Sequence, residues 1–425
     1  MSNGKWKISF CLSPIKYYNE KLKMLSANTF DVAIAGAGPA GTSAAIQLAL
    51  GGARVLLVEE KKFPRAKLCG EFISPECLTH FKRLGVMDQM SAAGGASVLE
   101  TVFYSRRGSR VAVPSEWFMS GAQALGLSRS EMDHQLLQRA KSAGVTVLED
   151  THASRLVCER QKVRGIRVKN GDETRDYEAL ITIDATGRTR TLARQVDPPR
   201  PSQRKRSNPF VAFKAHLVNA RVATGAYEIY FYKGGYGGLS AVEGGVSNLC
   251  FIVAANDVRR YNSNPERVRR EVVMKNFRAG YTLAEATAST PWLSVSLESF
   301  GRRTLAPAMG LLTVGDAAAF IDPFTGSGML MALESGQVAD EAIARNLGQL
   351  RQGSGFESLA DNYRSEYRCR FASRLRVSGL LRRAAFFPNL AEAAILLTGT
   401  SSTLRRKLAR ATRQSSNREA SAPTI

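Results

Sequence analysis

The chain is poor in the residues that build metal centres and disulfide frameworks. Its 425 residues hold six cysteines and four histidines. The cysteines stand at 11, 69, 77, 158, 250 and 369, with no C-x-x-C pair and no Cys/His cluster at zinc spacing. No metal site is expected, and the scatter fits a reducing cytoplasm better than a stapled secreted scaffold. His80, His134, His152 and His216 are dispersed and read as surface or packing residues. No run of about 18 apolar residues occurs, so no spanning helix is expected. The early ISFCLSPI stretch is too short and proline-broken for a signal peptide. Residues 1–29 are expected to be a disordered leader, with 1–23 alternatively a misplaced start.

Acidic residues are also scarce: 37 Asp and Glu face 59 Lys and Arg, a formal charge of +22. Such a surplus speaks of partners rather than fold. No basic stretch interleaved with aromatics and no nucleic-acid motif is present, so nucleic acid is not expected as a partner. An anionic membrane surface is the remaining candidate. With 44% hydrophobic and 23% charged residues, the chain reads as one large or two intimately packed folded domains.

Glycine, in contrast, is placed with a pattern. AIAGAGPAGTSAAIQLAL, Ala33–Leu50, predicts a strand over Asp31–Ala35, a G-x-G-x-x-G turn and a helix from Pro39 to Leu50. Gly51-Gly52 ends that helix, Arg54–Val58 is the next strand, and Glu59 closes it. Gly36 permits the tight turn, Gly38 lets backbone amides approach a pyrophosphate, and Gly41 lets helix pack on strand. The helix N-terminus offers unpaired N–H groups to phosphates. Glu59 lies 18 residues beyond Gly41, where an acid accepts from ribose hydroxyls and repels a 2′-phosphate.

Two further stretches bear on which dinucleotide is held. In LLTVGDAAAFIDPFTGSGMLMALESGQVADEAI, a strand at Leu311–Val314 ends in Gly315-Asp316, and Gly326-Ser327-Gly328 opens a long helix carrying Met329. Asp316 is placed to accept from sugar-like hydroxyls, and the Gly-Ser-Gly amides to stabilise negative charge on a reduced flavin. In ALITIDATGRTRTLAR, a buried strand ends at Asp184-Ala185-Thr186-Gly187.

Together these segments resemble the glutathione-reductase-type FAD fold. The likeness is closer to the branch of p-hydroxybenzoate-hydroxylase-like monooxygenases, flavin-dependent halogenases and geranylgeranyl reductases. It covers about residues 30–345. FPRAKLCGEFISPECL resembles the geranylgeranyl reductase and related halogenase group, in which a Cys-Gly pair, here Cys69-Gly70, lies near the flavin. LSRSEMDHQLLQRAKSAGVTVLED matches the Arg-x-x-x-Asp helix of the branch. The resemblance implies a resident FAD contacted by Gly36, Gly38, Pro39, Ala40, Gly41, Glu59, Cys69, Gly70, Arg129, Ala153, Asp184 and Gly187. It adds Gly315, Asp316, Gly326, Ser327, Gly328 and Met329 from the third segment.

The expected fold is α/β: a Rossmann-like FAD-binding domain with an inserted antiparallel β-sheet substrate domain and a helical C-terminal region. The FAD-binding part is expected over 30–105, 127–194 and 300–345, and the substrate part over 106–126 and 195–299. Strand-like alternation there brings many aromatics: Phe210, Phe213, Tyr227, Tyr230, Phe231, Tyr232, Tyr236 and Phe251. GGYGGLSAVEGGVSN resembles the reductase segment Tyr-x-Trp-x-Phe-Pro that passes near the flavin, but Leu239, Ser240 and Ala241 follow Tyr236. Residues 346–425 are expected to be helical and basic. From Asp361 onward there are thirteen Lys/Arg against four Asp/Glu, a net of +9 that suits either peripheral contact with an anionic bilayer or a helical appendage with a solvated basic face.

The expected function is an FAD-dependent oxidoreductase of a hydrophobic isoprenoid, quinone-like or polyketide molecule, working by flavin hydride transfer or oxygen activation. A monooxygenase or halogenase of a specialised metabolite is the alternative, and a flavin-free prenyl-lipid escort the non-enzyme reading. Catalytic residues are not identified, with Cys69 a weak candidate that reads first as a small buried thiol and second as a pocket residue or proton donor. No second strand-linked G-x-G-x-x-G is present, so electrons are expected from outside: NAD(P)H, a reductase or a quinol. The expected location is the cytoplasm, peripheral on the inner face of the membrane.

Overall fold

A computed structural model describes residues 28–198, 210–297, 300–385 and 388–411. The expected leader and the end of the basic tail therefore lie outside the described residues.

Two sheets carry the architecture. The first aligns Thr146–Leu148, Val55–Val58, Thr29–Ala35, Glu173–Asp184, Lys162–Asn170 and His152–Glu159 in that spatial order. Leu311–Thr313 joins the C-terminal half of Glu173–Asp184. The five strands that bear the glycine-rich turns and their neighbours run parallel, so their carboxyl ends share one edge. Gly36, Glu59, Ala185 and the Gly315-Asp316 turn all leave the sheet there, the edge where open α/β sheets bind ligands. Lys162–Asn170 and His152–Glu159 complete the sheet as an antiparallel extension.

Helix α1 (Pro39–Leu50) follows the first strand as its sequence predicts, starting on Pro39 and ending where Gly52 turns left-handed at φ +82°. Helix α2 (Arg129–Ser142) is capped by the Ser128 hydroxyl, which accepts from the Glu131 N–H. Helix α3 (Gly328–Arg351) packs along α1 at a separation only glycine allows: a Cβ on Gly336 would meet the backbone of Ala40 and Ala44. The apolar residues between sheet and helices form one core that includes Val32, Ile34, Ile46, Leu57, Leu136, Ile183 and Leu330. Each fully buried Leu or Ile there contributes about 1.5–3 kcal/mol.

The second sheet orders Thr287–Ala288, Phe210–Val218, Ser247–Ala254, Gly235–Ala241, Ala226–Tyr232, Glu100–Tyr104 and Arg110–Pro114, with Leu293–Leu297 on the far side of Phe210–Val218. Period-2 alternation divides its residues cleanly. Phe213, Tyr230, Tyr232 and Phe251 point to one face, under the short helices Ala255–Arg260, Pro265–Glu271 and Phe277–Thr282. Ala212, Ile229, Phe231, Tyr236 and Ile252 point to the other.

The chain beyond is helical: α4 (Phe356–Ala385), α5 (Pro388–Gly399) and α6 (Ser402–Ala411). Two expected boundaries shift. The division at 105/106 cuts a hairpin, because Glu100–Tyr104 and Arg110–Pro114 pair within the second sheet. The division at 345/346 falls inside α3. The strands at the motifs run Thr29–Ala35, Val55–Val58 and Leu311–Thr313, rather than Asp31–Ala35, Arg54–Val58 and Leu311–Val314.

Candidate active site

A cavity of about 620 Å³ opens between the carboxyl edge of the first sheet and the inner face of the second. Its two ends differ in chemistry.

At one end the wall is the glycine turn. Gly36, at φ +103°, has its missing Cβ directed at the Ala185 carbonyl, and Gly41 has its own directed at the Gly36 carbonyl. Gly38 is different: a Cβ there would meet nothing closer than Arg129 Nη2 at 3.9 Å. Gly36, Gly38, Pro39 and Ala40 line the cavity; Gly41 does its work behind them, as the contact between helix and strand. The first turn of α1 has no side-chain cap, which leaves its amides for a ligand. Glu59 stands across from it, its Oε2 accepting from the Ala37 N–H at 2.8 Å and its Oε1 from Arg65 Nε at 3.2 Å.

Arg129 is clamped by two hydrogen bonds of 2.8 Å to Asp133, which is fully buried. Burial alone would lower the guanidinium's pKa; the ion pair outweighs it and the shift is upward. Arg65 reaches the same carboxylate at 3.1 Å. Lys67 also faces the cavity, and burial followed by the charge of Arg65 lowers its pKa. Asp316 has its pKa raised by burial, against the pull of Arg188, Arg129 and Lys67. Arg188, Lys67 and the Asp133-paired Arg129 all act on this cavity-lining carboxylate, and their positive charge suits a diphosphate.

The α3 end is a second glycine-rich helix start. Gly326 is left-handed at φ +60°, Ser327 is the N-cap without a side-chain cap, and the helix proper begins at Gly328. Gly326, Gly328 and Met329 line the cavity, while the Ser327 hydroxyl turns away to Thr325. Cys69, Gly70, Ala153, Gly187 and Gly315 also line it. Asp184 does not. Its buried carboxylate instead accepts from Thr186 and from the Leu192 and Ala193 N–H groups, so it braces the loop that presents Gly187.

The far end is apolar: Phe103, Val111, Val113, Ile229, Phe231, Ile252, Leu297, Phe320 and Phe324. Of the aromatics expected here, Tyr227, Phe231 and Tyr236 reach the cavity; Phe213, Tyr230, Tyr232 and Phe251 pack on the opposite face. Tyr236 donates to Asp322 Oδ1 at 2.6 Å, joining the second sheet to the loop before α3. Tyr227 is wedged between glycines, 2.8 Å from where a Gly70 Cβ would lie. Helices α5 and α6 cover this end through Ile395, Thr398, Arg405, Leu408 and Ala409. On their outer surface Leu396, Leu397 and Leu404 are exposed beside Arg406 and Lys407. No helix among the described residues is long and apolar enough to cross a membrane.

Sequence reading missed Arg65, Lys67, Thr186 and Arg188 on this wall. The basic run Lys61–Lys67 after Glu59 was the available signal. It also missed α5 and α6 as part of the cavity.

The geometry therefore fits an extended dinucleotide: an open glycine cradle, an acid across from it, a cationic middle and a second uncapped helix start. Comparison with known proteins agrees. Residues 29–377 match the model of the FAD binding domain family, and the chain belongs to that family. It is an FAD-dependent oxidoreductase. Among curated proteins it is similar to the digeranylgeranylglycerophospholipid reductase of Methanosarcina mazei, 27% identical over 325 residues, 74% of each chain. Among solved structures it is similar to the myxobacterial chondrochloren halogenase CndH (TM-score 0.74, 21% identity, 90% of this chain and 92% of that one). A geranylgeranyl bacteriochlorophyll reductase-like protein of Thermoplasma acidophilum has a TM-score of 0.68 at 20% identity, over 91% and 92% of the two chains.

Proposed function

We propose that this enzyme reduces carbon–carbon double bonds of a polyisoprenoid lipid. The observation that carries the reading is the continuity of one cavity from the glycine cradle to an apolar chamber walled by the second sheet and α5. In the proposed arrangement Glu59 and Ala153 take the adenosine end of FAD, and the first turn of α1 with Arg129 takes the diphosphate. Asp316 takes the ribityl hydroxyls, and Gly326, Gly328 and Met329 take the ring system. FAD supplies two-electron hydride chemistry when bound. The chain's own part is to hold the reacting carbons and exclude water, which Phe103, Ile229, Phe231, Ile252 and Ile395 do by apolar contact. The likeness in sequence to lipid reductases supports the substrate class. The exposed leucines and cations of α5 and α6 support docking on an anionic bilayer, about 1 kcal/mol for each basic residue near the headgroups. Electrons come from an external donor: NAD(P)H, a reductase or a quinol.

The test is anaerobic mixing of the photoreduced holoenzyme with a lipid bearing geranylgeranyl chains. Return of the oxidised-flavin absorbance, with a hydrogenated product, is expected. A second reading, oxygen activation, is favoured by the fold likeness to the halogenase. Indifference to the lipid, with rapid reoxidation in air that yields a hydroxylated or halide-dependent product, would replace the first reading by the second.

A further inference from the structure

Within the cavity wall lies a buried charge cluster that the proposed chemistry does not use. Glu71 is fully buried, and its backbone sits at φ +55°, a conformation few residues other than glycine hold. Its Oε1 accepts from Lys214 Nζ at 2.6 Å and from the Arg129 N–H at 2.9 Å. Its Oε2 lies 2.7 Å from His216 Nε2. Burial alone would raise the carboxyl's pKa; His216 and Lys214 outweigh it and hold it below the usual carboxylate range. Lys214 is only 3% exposed.

The same segment is fixed from other directions. The Cys69 carbonyl accepts from Asn248 Nδ2 at 3.1 Å, and the Glu71 carbonyl from the Leu127 N–H at 3.3 Å. Cys69-Gly70-Glu71 lines the cavity, so this wall is tied to α2 and to two strands of the second sheet. Lys214 is the register partner of Cys250, itself a cavity residue, which sets the ammonium beside the cavity. Charges this buried are screened by salt much less than surface charges.

We propose that Glu71 and Lys214 are a positioning pair of opposed charges that sets the reduction potential of the bound FAD. The inference rests on FAD occupying this cavity, but not on the identity of the substrate. A negative charge beside the cofactor disfavours the gain of electrons, and a positive one favours it. Glu71 itself lines the cavity and Lys214 does not, so the carboxylate is the nearer charge and keeps the potential low. A low potential makes the reduced cofactor a strong hydride donor.

The test is a spectroelectrochemical titration of the purified holoprotein, with no substrate present. Glu71→Gln keeps the shape and removes the negative charge; its potential rises, by about tenfold in the redox equilibrium, or about 30 mV for a two-electron couple. Lys214→Met moves it in the opposite direction, the double variant returns near the parent, and Glu71→Asp preserves the parent value. A Glu71→Gln protein that keeps its FAD at an unchanged potential overturns the proposal. So do single variants that shift in the same direction, or a Glu71→Gln protein that cannot retain FAD, which would mark the cluster as structural. If Lys214→Met does not fold, the Glu71→Gln and Glu71→Asp pair decides. Failure of the lipid to be reduced leaves this measurement untouched.

Discussion

At the dinucleotide end of the cavity the wall is backbone; at the apolar end it is side chain. Gly36 and Gly41 fit because no Cβ stands between carbonyl and helix, and neither position has room to adjust. Phe103, Ile229, Phe231 and Ile395 pack as one cluster at the cavity and form a surface that other apolar residues of similar volume would also form. The first end holds a fixed group by geometry. The second admits a molecule by lack of polarity. The same contrast predicts that substitutions at the first end cost the fold or the cofactor, while those at the second alter the substrate.

The largest effect is expected at Gly36 and Gly41. An alanine at either forces a Cβ into backbone, and at Gly36 onto a left-handed φ as well. Destabilisation of about 3 kcal/mol or more is expected by denaturant titration, with loss of FAD. An alanine variant of near-parent stability would break the claim that this wall is rigid.

Gly38→Ala sharpens it. The added Cβ has room and the φ of −73° suits any residue. The apoprotein is expected to unfold like the parent while FAD affinity falls about tenfold to hundredfold, or about 1.4–2.8 kcal/mol. Equal affinity would remove Gly38 from the cradle. At the apolar end, Ile395→Ala should leave FAD content and kcat alone and raise KM about tenfold, the loss expected for part of a buried aliphatic side chain. A lowered kcat or FAD content there would mean that α5 supports the cofactor instead.

The smallest effect is expected at the rim of the first sheet. Asp31 accepts from Arg351 at 2.8 and 2.9 Å, and that hydrogen bond holds its carboxyl below the ordinary value of 3.8. A depressed native pKa stabilises at higher pH and is lost on acidification. Asp31→Asn should cost about 0.5–1 kcal/mol at neutral pH, modest because Arg351 is half exposed. The difference should fade as pH falls below 3.8 through the depressed value. A difference independent of pH would assign the effect to packing.

The first end was legible in the sequence because its constraints are local. Gly36 to Glu59 is one strand–helix–strand unit whose pattern is read within 24 residues, and Gly41 answers to Gly36 inside it, although Gly36 answers to Ala185 on the neighbouring strand. Alternation also announced the second sheet, but not its polarity: nothing in YEIYFY says that Ile229 and Phe231 face a cavity while Tyr230 and Tyr232 face helices. Glu71 and Lys214 are 143 residues apart, and only strand register brings them together. Asp184 looked like a cofactor contact because it ends a parallel strand, but its carboxylate is consumed by the loop it braces. The tail read as a basic appendage. Its role as a wall of the cavity depends on a turn between α5 and α6 that folds Ile395 and Ala409 inward.

The most direct test is a crystal structure of the holoenzyme with a long-chain isoprenoid bound. The account predicts FAD extended from Glu59 to Gly328, and the apolar chain between the second sheet and α5, in contact with Phe231 and Ile395. A chain found outside this cavity, or FAD lying with its ring system away from the α3 start, would contradict it.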